Sequence, residues 1–150
     1  MEKLIKSINE MLQISNNKID FNNVINEINN SRILGSTNQC YRVMYMISQY
    51  FNVQKVLEIG THQAASTITF CQSIIDNNII PEIHTIDNWS QSDLLPLESA
   101  KFKKLAETNI EKAGFTKYVT MYDGDSLIKV YEVFKKIGKV DLVFIDGNHA

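Results

Sequence analysis

"VLEIGTHQAAST", residues 56–67, passes from one kind of structure to another within a dozen positions. Val56, Leu57 and Ile59 read as a buried strand, yet Glu58 sits among them just before the run ends. Gly60 then breaks the pattern, and the small residues Ala64, Ala65, Ser66 and Thr67 open what reads as a helix. A strand that passes through a glycine into a helix is the repeating joint of an α/β protein.

The joint recurs downstream. From residue 54 onward, short β-branched runs alternate with helical segments: KVLEI, a helix over about 63–77, EIHTI, a helix over about 98–113, KYVTMY, a helix over about 126–137, and VDLVFI. Such alternation predicts βαβ crossovers and a parallel sheet. In the second helix Phe102, Leu105, Ala106, Ile110 and Ala113 share one side, and Gly114 stops it. In the third, Ser126 is placed to cap the N-terminus, Leu127, Val130, Tyr131, Phe134 and Ile137 are expected to face inward, and Gly138 ends it.

The first third is read as helical. Leu4, Ile5, Ile8, Met11 and Leu12 recur at helical spacing, as do Phe21, Val24, Ile25 and Ile28. A third helix over about 37–51 presents Tyr41, Met44, Tyr45, Ile47 and Phe51. The expected organisation is a helical packing segment, 1–52, on a Rossmann-like core, 53–150.

Composition narrows the function. Apolar residues make up 44% and charged residues 21% of the 150, and no apolar run approaches the roughly 20 residues needed to span a bilayer. A net charge of -2 with scattered lysines offers no basic stripe for nucleic acid. Cys40 and Cys71 lack metal-type spacing and read as reduced core residues of a cytoplasmic protein.

In a parallel α/β sheet, ligands bind beyond the carboxyl ends of the strands. The four ends read Glu58-Ile59-Gly60-Thr61-His62, Asp87-Asn88-Trp89, Asp123-Gly124-Asp125-Ser126 and Asp146-Gly147-Asn148-His149. Every one carries an acid, which points to a ligand crevice rather than to capping alone. Gly60 allows close approach to the backbone, and the helix that follows favours an anionic group at its start. Glu58 would repel a pyrophosphate but attract an ammonium, so an amino acid fits better than a dinucleotide. The glycine fingerprints of dinucleotide and P-loop sites are missing. Asp87 has two acceptor oxygens for two ribose hydroxyls. An amino acid joined to a ribose points to S-adenosylmethionine (SAM).

These residues resemble the class I SAM-dependent methyltransferases, especially the small-molecule O-methyltransferase-like group with E-I-G-T-x-x-G-x-S-T, I-D-x-W and F-I-D-G-x-H. Here the motifs read EIGTHQAAST, TIDNW and VFIDGNH, in the same order, over roughly residues 53–150. The resemblance implies a sheet of strand order 3-2-1-4. It implies that Glu58, Gly60, Thr61 and Ser66 hold the methionine part, Asp87 the ribose, and Asp125 with Ser126 the adenine rim. His62 and Asn88 would line the crevice, and Trp89 would sit beside the adenosine or shape the acceptor pocket. Ala64 departs from the pattern, which has glycine there. Plainer readings stand beside these: Glu58, Asp87 and Asp125 as caps or turn residues, Trp89 as a core lid, and His84 as a structural strand residue.

Asp146 and His149 are the catalytic candidates. In resembling metal-dependent O-methyltransferases, the acid ending the fourth strand helps bind a divalent cation such as Mg2+, which lowers the acceptor hydroxyl's pKa. His149 could act as general base. The resemblance thus implies methyl transfer to a hydroxyl of a small molecule. A non-catalytic module binding SAM or its demethylated product S-adenosylhomocysteine (SAH), and a nicotinamide-dependent oxidoreductase, are the competing readings.

LVFI, residues 142–145, is a continuous apolar run of the kind buried on both faces, but the order 3-2-1-4 leaves it at an edge. The chain is therefore expected to be truncated before further strands, and to self-associate as a homo-oligomer through that edge or through its N-terminal helices.

Overall fold

The computed structural model describes residues 38–89 and 96–147. The helices expected over 4–12 and 21–28 lie outside these residues, as do Asn148, His149 and Ala150.

The described chain runs α1 (Asn38–Tyr50), β1 (Lys55–Ile59), α2 (Ala65–Asp76), β2 (Glu82–Asp87), α3 (Pro96–Lys112), a 3-10 turn (Thr116–Tyr118), β3 (Val119–Asp123), α4 (Ser126–Ile137) and β4 (Leu142–Ile145). The strands form one parallel sheet of order β3-β2-β1-β4, the expected Rossmann-like α/β architecture. Register brings the strand ends together: Glu58 lies between Thr85 and Phe144, and Asp87 lies opposite Asp123.

Alternation along each strand sends side chains to two cores. On one face, Val56 and Ile83 pack with Ile68, Cys71 and Ile74 of α2 and with Ala106 and Ile110 of α3. On the other, Leu57 and Ile86 pack against Val133 of α4. Helix α1 lies on α2, where the Tyr45 hydroxyl donates to Asp76 Oδ2 at 2.6 Å and Ser73 Oγ donates to the Tyr45 carbonyl at 2.6 Å.

Four local expectations need correction. Cys40, expected in the core, is exposed on α1, whereas Cys71 is buried. The strand read from KYVTMY starts only at Val119, because Lys117 and Tyr118 close a 3-10 turn whose Tyr118 N–H bonds the Phe115 carbonyl at 2.9 Å. The cap of α4 is Asp125, whose Oδ1 accepts the Leu127 N–H at 2.8 Å, while Ser126 is already helical. The inward face of α4 is also narrower than its apolar stripe. Val130 and Ile137 pack beside Val133, but Leu127 is 86% exposed, Tyr131 65% exposed, and Phe134 is exposed as well.

The cause is geometric: α4 packs over β1 and β2, leaving β4 uncovered on that side. Val143 and Ile145 are in register with Leu57 and Ile59, so they stand on the same face, and Ile145 is 70% exposed. The edge position of β4, rather than the two-sided burial its composition suggests, sets its environment.

Candidate functional site

The bend between β1 and α2 is the centre of the site. Gly60 continues the ladder by donating to the Ile86 carbonyl at 2.9 Å, then adopts φ +96°. A Cβ at this position would fall 2.6 Å from the carbonyl carbon of Asp146 and 3.0 Å from the Gly147 nitrogen. Glycine is required here because the end of β4 presses on the bend. The direction in which a side chain at Gly60 would point is filled by the chain's own backbone.

Asp87, at the end of β2, holds the bend in place. Its Oδ2 accepts the N–H groups of Thr61 and His62, both at 2.8 Å, and its Oδ1 accepts the N–H of Trp89 at 2.7 Å. One carboxylate thus ties the loop after β1 to the loop after β2. Successive N–H groups converging on one oxygen form the anion-binding concavity called a nest, here occupied by the protein's own acid. The carbonyl of Asp87 also accepts the Gly124 N–H at 3.1 Å, which joins the end of β3 to the same assembly.

Backbone strain gathers at this point. Of the described non-glycine residues with positive φ, His62 (46°), Ala64 (69°) and Trp89 (56°) all belong to it. Left-handed non-glycine residues cost on the order of 1–2 kcal/mol each and persist where surrounding contacts over-determine them. Ala64 is the N-cap of α2 yet makes no side-chain cap bond. Its left-handed conformation is the physical reason a glycine suits this place in the motif.

Glu58 lies beneath the bend with 0% of its surface exposed. Its Oε1 accepts from the Ser66 hydroxyl and its Oε2 from the Thr67 hydroxyl, so the acid pins the first turn of α2. The Thr85 hydroxyl bonds it too, and Thr85 in turn shares a hydrogen bond with the Thr61 hydroxyl. Burial pushes the Glu58 carboxyl up to about 7; the three hydroxyls pull the other way, and the Asp87 charge adds to the rise. The carboxylate faces the hydroxyls of a helix and a strand and has no surface open to solvent.

The remaining candidates divide into two groups. His62 stacks on Phe102, ring centroids 5.1 Å apart, and burial lowers its pKa while Asp87 and Asp146 oppose that shift. Trp89 is buried in the core formed with α2 and α3, as a lid would be, and its indole N–H has no hydrogen-bond partner among the described residues. Asn88 is exposed on the rim. Asp125 is exposed and caps α4, Ser126 follows it, and Asp123 pairs with Lys103. The structure therefore brings Glu58, Gly60, Thr61, His62, Ser66, Asp87, Trp89 and Asp146 around one bend, with Asp125 and Ser126 on the neighbouring strand end. His84, mid-strand, bonds Glu82 at 2.9 Å and Tyr122 at 3.2 Å and takes no part.

Sequence reasoning missed Thr67 and Thr85 as partners of Glu58, and Gln63, whose carbonyl accepts from Asn109 at 3.0 Å while its buried Oε1 has no partner among the described residues. Thr67 follows Ser66 directly, and Thr85 is set by strand register, so only the first carried a sequence signal. Among the described residues no group of three or more His, Cys, Asp or Glu side chains is placed to hold a metal ion. Asp146 is therefore joined by no metal-ligand set among the described residues. No described helix is long and apolar enough to cross a membrane.

Comparison with known proteins adds an independent line. A family model described as a methyltransferase domain matches residues 57–150. No curated protein matches the chain. Among solved structures, the SAH-bound methyltransferase PaMTH1 of Podospora anserina superposes with a TM-score of 0.61 at 17% identity, covering 94% of this chain and 50% of that one. The O-methyltransferase TomG of Streptomyces achromogenes, involved in tomaymycin synthesis and solved with SAM, gives 0.61 at 20% identity over 78% of this chain and 47% of its own. An O-methyltransferase from Bacillus cereus in complex with SAH gives 0.60 at 19% identity, with 95% and 54% covered. At these identities the likeness is one of fold. The chain spans about half the length of these solved structures.

Proposed function

This chain belongs to the methyltransferase-domain family, and we propose that it binds SAM at the bend after β1 and serves transfer of its methyl group to a hydroxyl of a small molecule. The observation that carries the reading is the Asp87 clamp, a carboxylate at the second strand end locked to the glycine bend at the first. The methyl donors and products bound in PaMTH1, TomG and the Bacillus cereus enzyme support it by analogy of fold.

In this proposal the start of α2, where Ala64 provides no side-chain cap, receives the carboxylate of the methionine part, with Thr61 and Ser66 beside it. Glu58 acts from below by fixing Ser66 and Thr67. Asp87 faces the ribose, Asn88 and Trp89 border the adenosine, and Asp125 with Ser126 forms the far rim. His62, stacked on Phe102, walls the crevice. When bound, SAM supplies an electrophilic methyl group. The chain's own contribution is to hold donor and acceptor in line, the geometry from which much of the rate gain of a displacement arises. Asp146 is assigned to orienting the acceptor hydroxyl and His149 to taking its proton. No proposed step uses a metal ion, because the described residues do not assemble a site for Mg2+.

Calorimetric titration with SAM and SAH, followed by a methyl-transfer assay against a panel of hydroxylated small molecules, tests the proposal. Binding with turnover supports it, and binding without turnover by the whole protein favours the non-catalytic module. Failure to bind either ligand removes both readings.

A further inference from the structure

Glu58 is fully buried, yet a line of hydroxyls joins it to the bend. Thr85, its register partner on β2, bonds the carboxyl, and the Thr85 hydroxyl in turn bonds that of Thr61. Ser66 and Thr67 direct their hydrogens to the two carboxyl oxygens. Thr85 differs from them in having a second hydroxyl partner, so it is the one free to turn round. A hydroxyl has one hydrogen to give, and the direction of the Thr85–Thr61 bond therefore follows the charge on Glu58. With Glu58 ionised, Thr85 donates to the carboxylate and accepts from Thr61, whose oxygen keeps a lone pair at the bend. With Glu58 protonated, the acid donates to Thr85, Thr85 donates to Thr61, and the Thr61 hydrogen turns away from Thr85.

We propose that Thr85 and Thr61 carry the charge state of Glu58 to the bend, so that the ammonium group of the amino-acid tail is bound with release of the Glu58 proton. The inference rests on the SAM reading above and deepens it by making that site proton-linked. An ammonium has only hydrogens to donate, so it needs Thr61 as an acceptor, and its positive charge favours the carboxylate. Glu58 passes its proton to Thr85, Thr85 passes its own to Thr61, and Thr61 passes its own to water. A carboxylate and two intact hydroxyls remain, and no surface of Glu58 has to open. Burial pushes the Glu58 carboxyl up to about 7, and the Asp87 charge on β2 adds to the rise. On α2 the Cys71 thiol is pushed up by burial and by Glu58 and stays neutral, β4 places Phe144 in register with Glu58, and His62 on the bend answers to Asp87 and Asp146. At pH 7 about half of the empty chains therefore hold the Glu58 proton.

Calorimetric titration of the full chain with SAM at pH 7, in buffers of low and of high ionisation enthalpy, counts the protons exchanged. The parent releases up to about half a proton per ligand, and its affinity falls by up to about tenfold per pH unit below 7. Glu58→Gln releases none. Thr85→Val, which removes the hydroxyl and keeps the branched shape, loses most of the release, and Thr85→Ser restores it; this pair decides if Glu58→Gln does not fold. Binding of SAM by the parent with no proton released, or undiminished release in Glu58→Gln or Thr85→Val, overturns the inference and leaves the SAM reading standing. If neither SAM nor SAH binds the parent, the SAM reading falls and takes this inference with it.

Discussion

The Asp87 carboxylate lies 2.8 Å from the amide nitrogen of Thr61, so a residue ending one strand sets the shape of the bend that ends its neighbour. The same oxygen holds His62, and the other holds Trp89. Asparagine in place of Asp87 keeps one acceptor oxygen but turns an NH2 group towards N–H donors. Asp87→Asn is expected to cost about 1–3 kcal/mol, the penalty of leaving buried donors unsatisfied, and to weaken ligand binding as well. Chemical denaturation and titration of the same preparation measure the two effects; a variant as stable as the parent contradicts the clamp.

Glu58 makes stability depend on pH. Its carboxyl is raised by burial from 4.5 to about 7, so the folded chain holds a proton that the unfolded chain has released. The resulting stabilisation is fully present below about 4.5, and it is lost as pH rises through about 7. At 1.36 kcal/mol per pH unit the shift corresponds to about 3 kcal/mol. Urea denaturation between pH 5 and 8 should show stability falling with pH, and Glu58→Gln should flatten that slope and leave the variant the more stable form at pH 8. An unchanged slope in the variant assigns the titration to another group.

Two substitutions at the bend separate strain from space. Gly60→Ala places a methyl against the backbone of Asp146 at φ +96° and is expected to destabilise the fold by more than about 2 kcal/mol. Ala64→Gly relieves a left-handed alanine but loses a buried methyl and gains unfolded-state entropy, so its net effect should lie within about 1 kcal/mol of zero. Thermal melts of the pair decide; equal effects contradict the account of the bend.

The edge at β4 predicts association. Val143 and Ile145 are exposed on a strand that, among the described residues, is paired on one side only, and the helix before it leaves Leu127 and Tyr131 in solvent. Ile145→Lys should shift this 150-residue chain towards monomer in sedimentation velocity while changing stability by no more than about 0.5 kcal/mol, as for other exposed positions. A parent chain that is monomeric at every concentration contradicts the expectation.

Much of the fold was legible because β-branched runs and glycine stops mark where parallel strands and their helices begin and end. Periodicity could not select between adjacent stripes of α4. Leu127, Tyr131 and Phe134 obey helical spacing as well as Val130 and Ile137 do, and only the position of the sheet decides which stripe is covered. Val133, the most buried residue of that helix, was not among those expected inside. At the site, residue types were legible and partners were not. Glu58 and Asp87 stood out as acids at strand ends, but Thr85 meets Glu58 through register, and Asp87 meets Thr61 and His62 through a bend whose shape no local rule supplies. Gly60 was recognised as a close approach; what approaches it is the backbone of Asp146, some 86 positions away, by subtraction of the residue numbers.

The most direct test is a crystal structure of the protein with SAH. The account predicts the amino-acid tail against the bend at 60–66 and the start of α2, with the Asp87 carboxylate on the ribose. A ligand seated elsewhere, or a bend left closed with Asp87 turned away from any sugar, would contradict it.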